Sequence, residues 1–316
     1  MRKNNASLGC LRGQDGVALL ISLLVVVILT VTVTEFLYSA WVDRSFAFGF
    51  RDSAKALYAL RSAVEASKKI VADDLKNDMK NNQLVDTLKE PWAQPGFPVP
   101  VDDTYMFLTI TDESSKLDLN RLVTAGGYTD QRWLDAFSRL LRNLQLDQSI
   151  SLYVLNWISA SDDGPAKTPY YASLPRPYKC KNAKLDSLEE LKRVKGITPE
   201  VFEKIKNFVS IKSSGYVNVN TAPKEVLMSL SDDLTDGLAD ALIATRTNTP
   251  FGSKEGIQSV SGFAAIFPKI SNMIGVNTNS FSVSVSVTIN EVTRKATALL
   301  SPRTTTDATV VFFKVN

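Results

Sequence analysis

An uncharged apolar run near the start of the chain constrains the fold more than any other feature. Residues 17–34 read VALLISLLVVVILTVTVT and contain no charged side chain. A helix of this kind crosses the hydrocarbon core of a bilayer, which takes about 20 apolar residues. The apolar character continues past Glu35 as far as Trp41. We therefore predict one transmembrane helix over residues 17–41.

The charges before this run predict its orientation. Arg2, Lys3 and Arg12 precede it, against a single acidic residue, Asp15. Short flanks rich in lysine and arginine stay on the cytoplasmic side of a membrane. We therefore expect a cytoplasmic N-terminus and a large soluble region on the opposite side.

The composition excludes several classes of function. The chain of 316 residues has no histidine and two cysteines, Cys10 and Cys180, so it lacks the commonest general base and zinc ligand. The sequence has no glycine-rich phosphate loop and no serine in a nucleophile elbow. A net charge of +3 is too small to indicate nucleic-acid binding. We predict a non-enzymatic protein in which Cys180 is structural and reduced.

The junction between the polar leader and the apolar run indicates a particular kind of processing. No A-x-A-like signal-peptidase site follows the run, whereas Gly16-Val17 stands directly before it. This arrangement resembles type IV prepilins and the pseudopilins of type II secretion. The resemblance implies that a prepilin peptidase cuts between Gly16 and Val17 and that the new N-terminus of Val17 is methylated.

The fifth position after this junction departs from the pattern of the major subunits. These carry a glutamate there, whereas this chain has Ile21. An unpaired carboxylate in lipid is costly, so its absence suggests a subunit with no neighbour above it, as at a filament tip. The alternative is that Ile21 simply faces lipid in an ordinary single-pass anchor.

The first soluble segment predicts a helical stem followed by strands. Residues 43–80 keep apolar side chains in approximate helical register without a proline. The segment EPWAQPGFPVP after residue 89 predicts a loop. Residues 105–110 and 116–120, separated by a polar turn, then predict a β-hairpin.

Helical patterns and later strands follow. Between residues 129 and 208 the patterns favour helices, with Asp186 and Pro199 as helix starts. Further predicted elements are a strand at 216–220, helices at 225–230 and 234–245, and strands at 281–289 and 309–315.

Together these elements predict an α+β fold: a pilin-like long N-terminal helix packed on an antiparallel sheet, with a large helix-hairpin-helix-like (SAM-like) α-helical insertion. The predicted domains are a prepilin leader over 1–16, the transmembrane helix over 17–41, a stem with the first part of the pilin domain over 42–128, the helical insertion over 129–212, and the second part of the pilin domain, with a second helical module and C-terminal strands, over 213–316.

Three segments narrow the resemblance to the K-type minor pseudopilins of type II secretion, the GspK family. These segments are EPWAQPG with the later KLDLNRL, in which Asp118 replaces an asparagine, then YKCKNAKLDSLEELKRVKGI, and VNVNTAPKEVL. Their shared order carries the resemblance, which covers most of the chain from Gly16 to about Gly262.

Members of the family that this chain resembles carry calcium in the helical insertion. Their site lies near an Asp-Trp-x-Asp-x-Asp pattern followed by Gly-Ala-Glu. Here the segment begins at Asn156 and has serines at 159 and 161, and no Gly-Ala-Glu follows. Calcium needs six to eight oxygen ligands, usually with several carboxylates. Asn156, Asp162 and Asp163 are the candidate ligands of a weak calcium site, and a solvated turn with a helix cap is the alternative.

The resemblance implies an inner-membrane, single-pass protein with a periplasmic domain that caps and primes a pseudopilus for protein export. The implied partners are the I-type and J-type minor pseudopilins, the major pseudopilin, the assembly platform and the prepilin peptidase. One alternative is a minor pilin of a type IV pilus. The other is a membrane-anchored DNA receptor with a basic face of Lys192, Arg193, Lys195 and Lys204, although glutamates interleave with these charges.

Overall fold

The structure is a computed structural model that describes residues 14–94, 99–101, 104–161, 164 and 166–315. Its first element is a single helix, α1 (Gln14–Lys80), of 67 residues. At 1.5 Å per residue this helix is about 100 Å long. The predicted transmembrane and stem segments are therefore one continuous rod.

The remaining elements are short by comparison. The later helices are α2 (Gln131–Asn143), α3 (Ser149–Ile158), α4 (Thr168–Ala172), α5 (Pro199–Ile205), α6 (Lys224–Ser229), α7 (Asp236–Asn248) and α8 (Phe263–Ile270). The strands are β1 (Val99–Val101), β2 (Thr104–Asp112), β3 (Leu117–Asp118), β4 (Val209–Ser210), β5 (Val217–Asn218), β6 (Ile274–Gly275), β7 (Phe281–Ile289), β8 (Val292–Arg303) and β9 (Ala308–Val315). Single 3₁₀ turns cover Pro91–Ala93, Glu113–Ser115, Leu119–Leu122, Leu188–Arg193 and Lys254–Ser259.

The soluble half of α1 packs on an antiparallel sheet with the strand order β1-β2-β7-β8-β9. Along β7 the side chains alternate, and Val283, Val285 and Val287 are buried against the helix. Alanines, valines and one leucine on α1 complete this core. The small alanine side chains let the helix approach the sheet closely. The buried α1 residues are Ala56, Leu60, Ala63, Val64 and Val71. The predicted helix-on-sheet arrangement and the strands at 281–289 and 309–315 are confirmed.

A helical domain is inserted between β2 and β7. The two strand ends that flank it, Asp112 and Phe281, are direct partners in the sheet, so the chain leaves and re-enters at one point. The apolar core of this domain runs from Leu117 to Ile274. Helices α2 and α6 pack together within it, so residues before and after position 212 share one core. The domain boundary predicted at 212 stays a prediction.

Two local predictions differ from the structure. The predicted hairpin of 105–110 with 116–120 is wrong, because the Asp112 side chain accepts the N–H of Ser114 at 2.6 Å and starts a 3₁₀ turn. Strand β3 then pairs in parallel with β4. The predicted strand at 216–220 shortens to β5, which pairs with β6 outside the main sheet.

The structure also shows where the two helices predicted to start at Asp186 and Pro199 begin. The turn predicted to start at Asp186 begins at Leu188, because the Glu190 carboxylate accepts the N–H groups of Asp186 and Ser187 at 2.9 and 3.2 Å. Helix α5 begins at Pro199 as predicted, and Thr198 caps it by accepting the N–H of Val201.

The helical domain lies at the end of the stem farthest from the apolar run. At the near end of the sheet, Asn290 in the β7–β8 turn donates to Asp52 of α1 at 2.7 Å. At the far end, Arg303 donates to Asp74 of α1 at 2.7 Å. These two points are about 33 Å apart along the helix. Since Asp112 and Phe281 lie at the Arg303 end of the sheet, the inserted domain stands at the distal end of the stem.

The contact between α1 and the sheet yields a stability prediction. Leu60 is fully buried against the sheet, so Leu60→Ala should lower the free energy of unfolding by about 2–5 kcal/mol. Urea denaturation of the detergent-solubilised chain measures this loss. Leu84→Ala is the control, because Leu84 is 49% exposed, and it should change stability by less than about 0.5 kcal/mol. Equal losses in the two variants would contradict the packing described here.

Candidate functional site

The N-terminal part of α1 exposes a continuous apolar surface. Gly16–Lys80 is the one helix in the described part of the chain that is long and apolar enough to cross a membrane, by length and composition. Its most apolar 18-residue window has a mean hydropathy of 2.9, and none of that window is buried in the protein. Water does not stabilise such a surface, so lipid or the helices of other subunits must cover it.

Polar groups on this segment are satisfied within the helix. The hydroxyls of Thr30, Thr32 and Thr34 each donate to a carbonyl four residues earlier at 2.8 Å. Such bonds let threonine lie in lipid without an orphaned donor. Beyond the apolar run, Tyr38 and Trp41 stack with ring centroids 6.4 Å apart, as aromatic residues do at a membrane interface.

The predicted processing junction lies in the first turns of α1. Because the helix begins at Gln14, both Gly16 and Val17 are helical, and Val17 is 55% exposed. A Cβ added at Gly16 would meet no atom within 4 Å. The need for glycine here therefore does not come from packing in this chain. Ile21 is 57% exposed on the same apolar surface. Cleavage and methylation stay predictions.

A buried charge cluster fixes the distal end of the stem, and we call Asp74, Asp86, Glu90 and Arg303 the Arg303 joint. The Arg303 guanidinium donates to Asp74 at 2.7 Å and to Asp86 at 2.6 Å. The same group lies 5.1 Å from the ring centroid of Phe281. One carboxylate oxygen from each of Asp74, Asp86 and Glu90 lies within 4.8 Å of the others. Arg303 thus pairs with two of the three crowded carboxyl groups, those of Asp74 and Asp86.

Burial raises the pKa values of these carboxyl groups. Burial raises the pKa of Asp86 to about 7, although the Arg303 charge opposes the shift. Burial together with the negative charges of Asp74 and Asp86 raises the pKa of Glu90 to about 8. The Glu90 carboxyl is held by the Thr87 N–H at 2.9 Å and the Trp92 indole N–H at 2.6 Å. The joint therefore carries protons near neutral pH.

The resemblance motif VNVNTAPKEVL connects this joint to the helical domain. Asn218 donates its side-chain amide to the carbonyl oxygen of Asp86 and to the carboxylate of Asp112, both at 3.0 Å. Asn220 makes a reciprocal pair of bonds with the backbone of Phe251 at 2.9 and 3.0 Å. Both asparagines are buried. The side-chain amides of the motif thus hold separate backbone segments together, as backbone hydrogen bonds do in a sheet.

Side chains of the motif KLDLNRL also hold backbone segments together, on the other side of the domain. The Asn120 amide donates to the carbonyls of Leu185 and Ile211 at 2.9 and 2.8 Å, and its oxygen accepts the N–H of Leu185 at 2.8 Å. Asp118, which replaces the family's first asparagine, accepts the N–H groups of Asn120 and Ser213, both at 2.9 Å. The aspartate therefore still serves as a backbone acceptor here.

The predicted calcium loop follows α3. Asn156 is buried at the last turn of that helix, whereas Asp162 and Asp163 lie outside the described residues. The ammonium of Lys167 donates to the carbonyl oxygen of Asn156 at 2.6 Å. Cys180 is buried beside the same carbonyl, with its sulfur at 3.5 Å. Calcium binding is untested at the two aspartates.

Two of the four cations on the hairpin that suggested DNA binding lie against aromatic rings of their own domain, whereas Arg193 and Lys204 are exposed. Lys192 lies 4.4 Å from the ring centroid of Phe202, and Lys195 lies 4.8 and 4.4 Å from those of Tyr153 and Tyr170. Gly196 has a φ of +80°, and a Cβ there would lie 3.2 Å from Ile150. The glycine turn thus packs on its own domain.

Comparison with known proteins gives matches to one group. Two sequence profiles, both described as type II secretion system (T2SS), protein K, match residues 115–213 and 217–277. Type II secretion system protein K of Pseudomonas aeruginosa is 25% identical over 303 residues, covering 89% of this chain and 86% of that protein. Protein K of Pectobacterium carotovorum is 27% identical over 269 residues, covering 78% and 79%.

A solved structure shares the fold. A chain in the crystal structure of the GspK-GspI-GspJ complex from the enterotoxigenic Escherichia coli type 2 secretion system superimposes with a TM-score of 0.71 at 17% identity. The alignment covers 85% of this chain and 99% of that chain. The α+β fold with a long helix, an antiparallel sheet and a helical insertion is therefore confirmed.

The raised pKa values in the Arg303 joint predict a loss of stability as the pH rises. Between the ordinary Glu90 pKa of 4.5 and its folded value of about 8, the folded state holds a proton that the unfolded chain releases. The free energy of unfolding should fall, by on the order of 2 kcal/mol, as the pH rises from about 5 to about 8. Urea denaturation of the solubilised chain across this range measures the slope.

Glu90→Gln tests the source of this slope because the amide does not titrate. The variant should show a flatter pH dependence than the unmodified chain. Glu255→Gln, at an exposed position, is the control and should keep the original slope. A Glu90→Gln slope equal to that of the unmodified chain would contradict the assignment.

Proposed function

Because this chain belongs to the type II secretion system protein K family, whose members are structural pseudopilins rather than enzymes, we propose that it caps the tip of a periplasmic pseudopilus and primes its assembly for protein export. The exposed apolar part of α1 anchors it in the inner membrane by a single span, with the soluble part in the periplasm. Its role depends on binding and assembly.

One observation carries this proposal: the helical domain stands at the distal end of the stem. Subunits of such a filament pack through their long N-terminal helices, and a new subunit above this one would need the space beyond Lys80. The domain from Leu117 to Ile274 fills that end of the stem. Ile21 supports the same reading, because a tip subunit has no neighbour above whose N-terminus a glutamate would neutralise.

The partners follow from the family. The solved relative is in a complex of GspK with GspI and GspJ, and we propose the corresponding I-type and J-type minor pseudopilins as partners of this chain. The major pseudopilin, the inner-membrane assembly platform and the prepilin peptidase complete the set. The exposed helix surface from Val17 to Trp41 offers area for contact with sister helices through van der Waals packing.

The two alternatives have less support. A minor pilin of a type IV pilus would share α1 but does not account for the matches to protein K across the helical domain. A DNA receptor would need a continuous basic face on the hairpin, whereas Lys192 and Lys195 lie against aromatic rings of their own domain and glutamates interleave with the four cations.

Removal of the helical domain tests the cap. Asp112 and Phe281 are direct sheet partners, so a two-residue turn can join them and leave the stem and sheet in place. In cells that overproduce the major pseudopilin, the full chain should keep pseudopili short. The shortened variant should yield longer pseudopili by electron microscopy and should not restore export to cells lacking the chain.

The control inserts the same two residues into the β7–β8 turn at Asn290, at the opposite end of the sheet. This variant should limit pseudopilus length as the full chain does. Resistance of the purified stem and sheet to protease confirms that the shortened variant is folded. A folded, shortened variant that limits length as well as the full chain would overturn the cap.

The processing junction has its own test. The membrane-extracted protein should begin at methylated Val17 by mass spectrometry, and only in cells with an active prepilin peptidase. Gly16→Val should block cleavage, because its side chain meets nothing in this chain and so affects only the fit to the peptidase. Gly49→Ala, also without a neighbour within 4 Å in the same helix, should be cleaved normally. An uncut N-terminus in cells with active peptidase would contradict the prediction.

A further inference from the structure

Lys167 is a buried lysine in the helical domain, and its ammonium is surrounded by oxygen atoms. The residue is 3% exposed. Its Nζ donates to the carbonyl oxygens of Asn156 and Ser159 at 2.6 and 2.7 Å and to the side-chain oxygen of Asn182 at 3.0 Å. An ammonium has three N–H donors, so each can reach one of these three oxygens.

Two of the oxygens belong to the end of α3. The last carbonyls of a helix lack partners within the helix, and the partial negative charge there favours a cation. Neighbouring carbonyls are taken by backbone donors: Ser159 N–H bonds to Leu155 and Asn182 N–H to Trp157, both at 2.9 Å. Lys167 takes the carbonyl between them, that of Asn156. The ammonium thus completes the helix end and joins it to the segment that contains Asn182.

The oxygens around the ammonium are of the kind that calcium prefers, namely backbone carbonyls and an amide oxygen. The loop is also where the resemblance implies calcium. However, a calcium ion among these oxygens would lie beside the ammonium, and two positive charges repel strongly in a buried site. The described donors therefore do not fit a calcium ion while Lys167 occupies them.

The side chain of Asn156 agrees with this arrangement. It is buried, its Nδ2 has no hydrogen-bond partner in the described structure, and a Cβ added at Gly164 would overlap it. Gly164 has a φ of +141°, and the absence of a side chain lets its own backbone lie against the Asn156 amide. An aspartate at 156 would supply a charge for a metal, whereas the neutral amide leaves the ammonium as the cation at this point.

We propose that Lys167 is a tethered cation that joins the end of α3 to Asn182 in place of a calcium ion, so that the helical domain of this subunit folds without metal. The side chain carries its charge permanently to these three oxygen atoms, and the connection then does not depend on the calcium concentration outside the cytoplasm. This inference is independent of the cap, since a metal-free domain could serve any of the functions considered above.

The test uses the full chain in detergent. Thermal unfolding, followed by tryptophan fluorescence, should have the same midpoint in excess EGTA and in millimolar calcium, and equilibrium dialysis should retain no radioactive calcium. Lys167→Met keeps most of the length of the side chain and removes the charge together with its three hydrogen bonds. Its midpoint should fall by about 5 °C.

Lys184→Met is the matched control, because Lys184 is exposed and the variant loses the same charge. Its midpoint should equal that of the unmodified chain. A lower midpoint of the unmodified chain in EGTA, or retention of calcium by it, would overturn the proposal. So would a Lys167→Met variant that unfolds at the original temperature. Should Lys167→Met fail to fold, the calcium measurements on the unmodified chain decide the question.

Discussion

The rest of the structure depends on the charged hydrogen bonds that the buried guanidinium of Arg303 donates to two carboxylates. It reaches Asp74 on the stem helix and Asp86 on the segment that follows, and it stacks on Phe281 at the first position of β7. Asp86 in turn accepts the N–H of Thr278 at 2.7 Å, just before the chain returns to the sheet. The stem helix, the sheet and the end of the helical domain therefore meet at one charged group. Loss of one partner of such a buried ion pair lowers the free energy of unfolding by about 3–5 kcal/mol.

Charge and amide groups, rather than apolar contacts alone, set the position of the helical domain on the stem. The described residues form two separate apolar cores, one between α1 and the sheet and one within the helical domain. Apolar packing is not directional, so it does not by itself fix how two cores are oriented. The bonds of Asn218 to Asp86 and Asp112 are directional, and they span the boundary between the two.

The elements with strong local patterns could be predicted from the sequence. The stem helix, β7 and β9 show apolar periodicity over many residues, and the helical patterns between residues 129 and 208 predicted the helical insertion. Strand β8 was missed because Arg294 and Lys295 interrupt its first half and Pro302 lies within it. Helix α8 was missed because Pro268 inside it looks like a helix breaker. The Arg303 joint and the oxygen atoms around the Lys167 ammonium could not be predicted from the sequence, since each set joins residues that only the fold brings together.

A rigid link between stem and helical domain is what a cap at a filament tip requires. The proposed cap has to keep the space beyond the stem filled, so the domain at the end of the unbroken 67-residue helix must hold one position relative to that helix. The Arg303 joint and the buried asparagines provide that rigidity because their bonds have fixed directions and lie away from water, where charges attract more strongly. A domain held only by a flexible linker would leave the tip open to further addition.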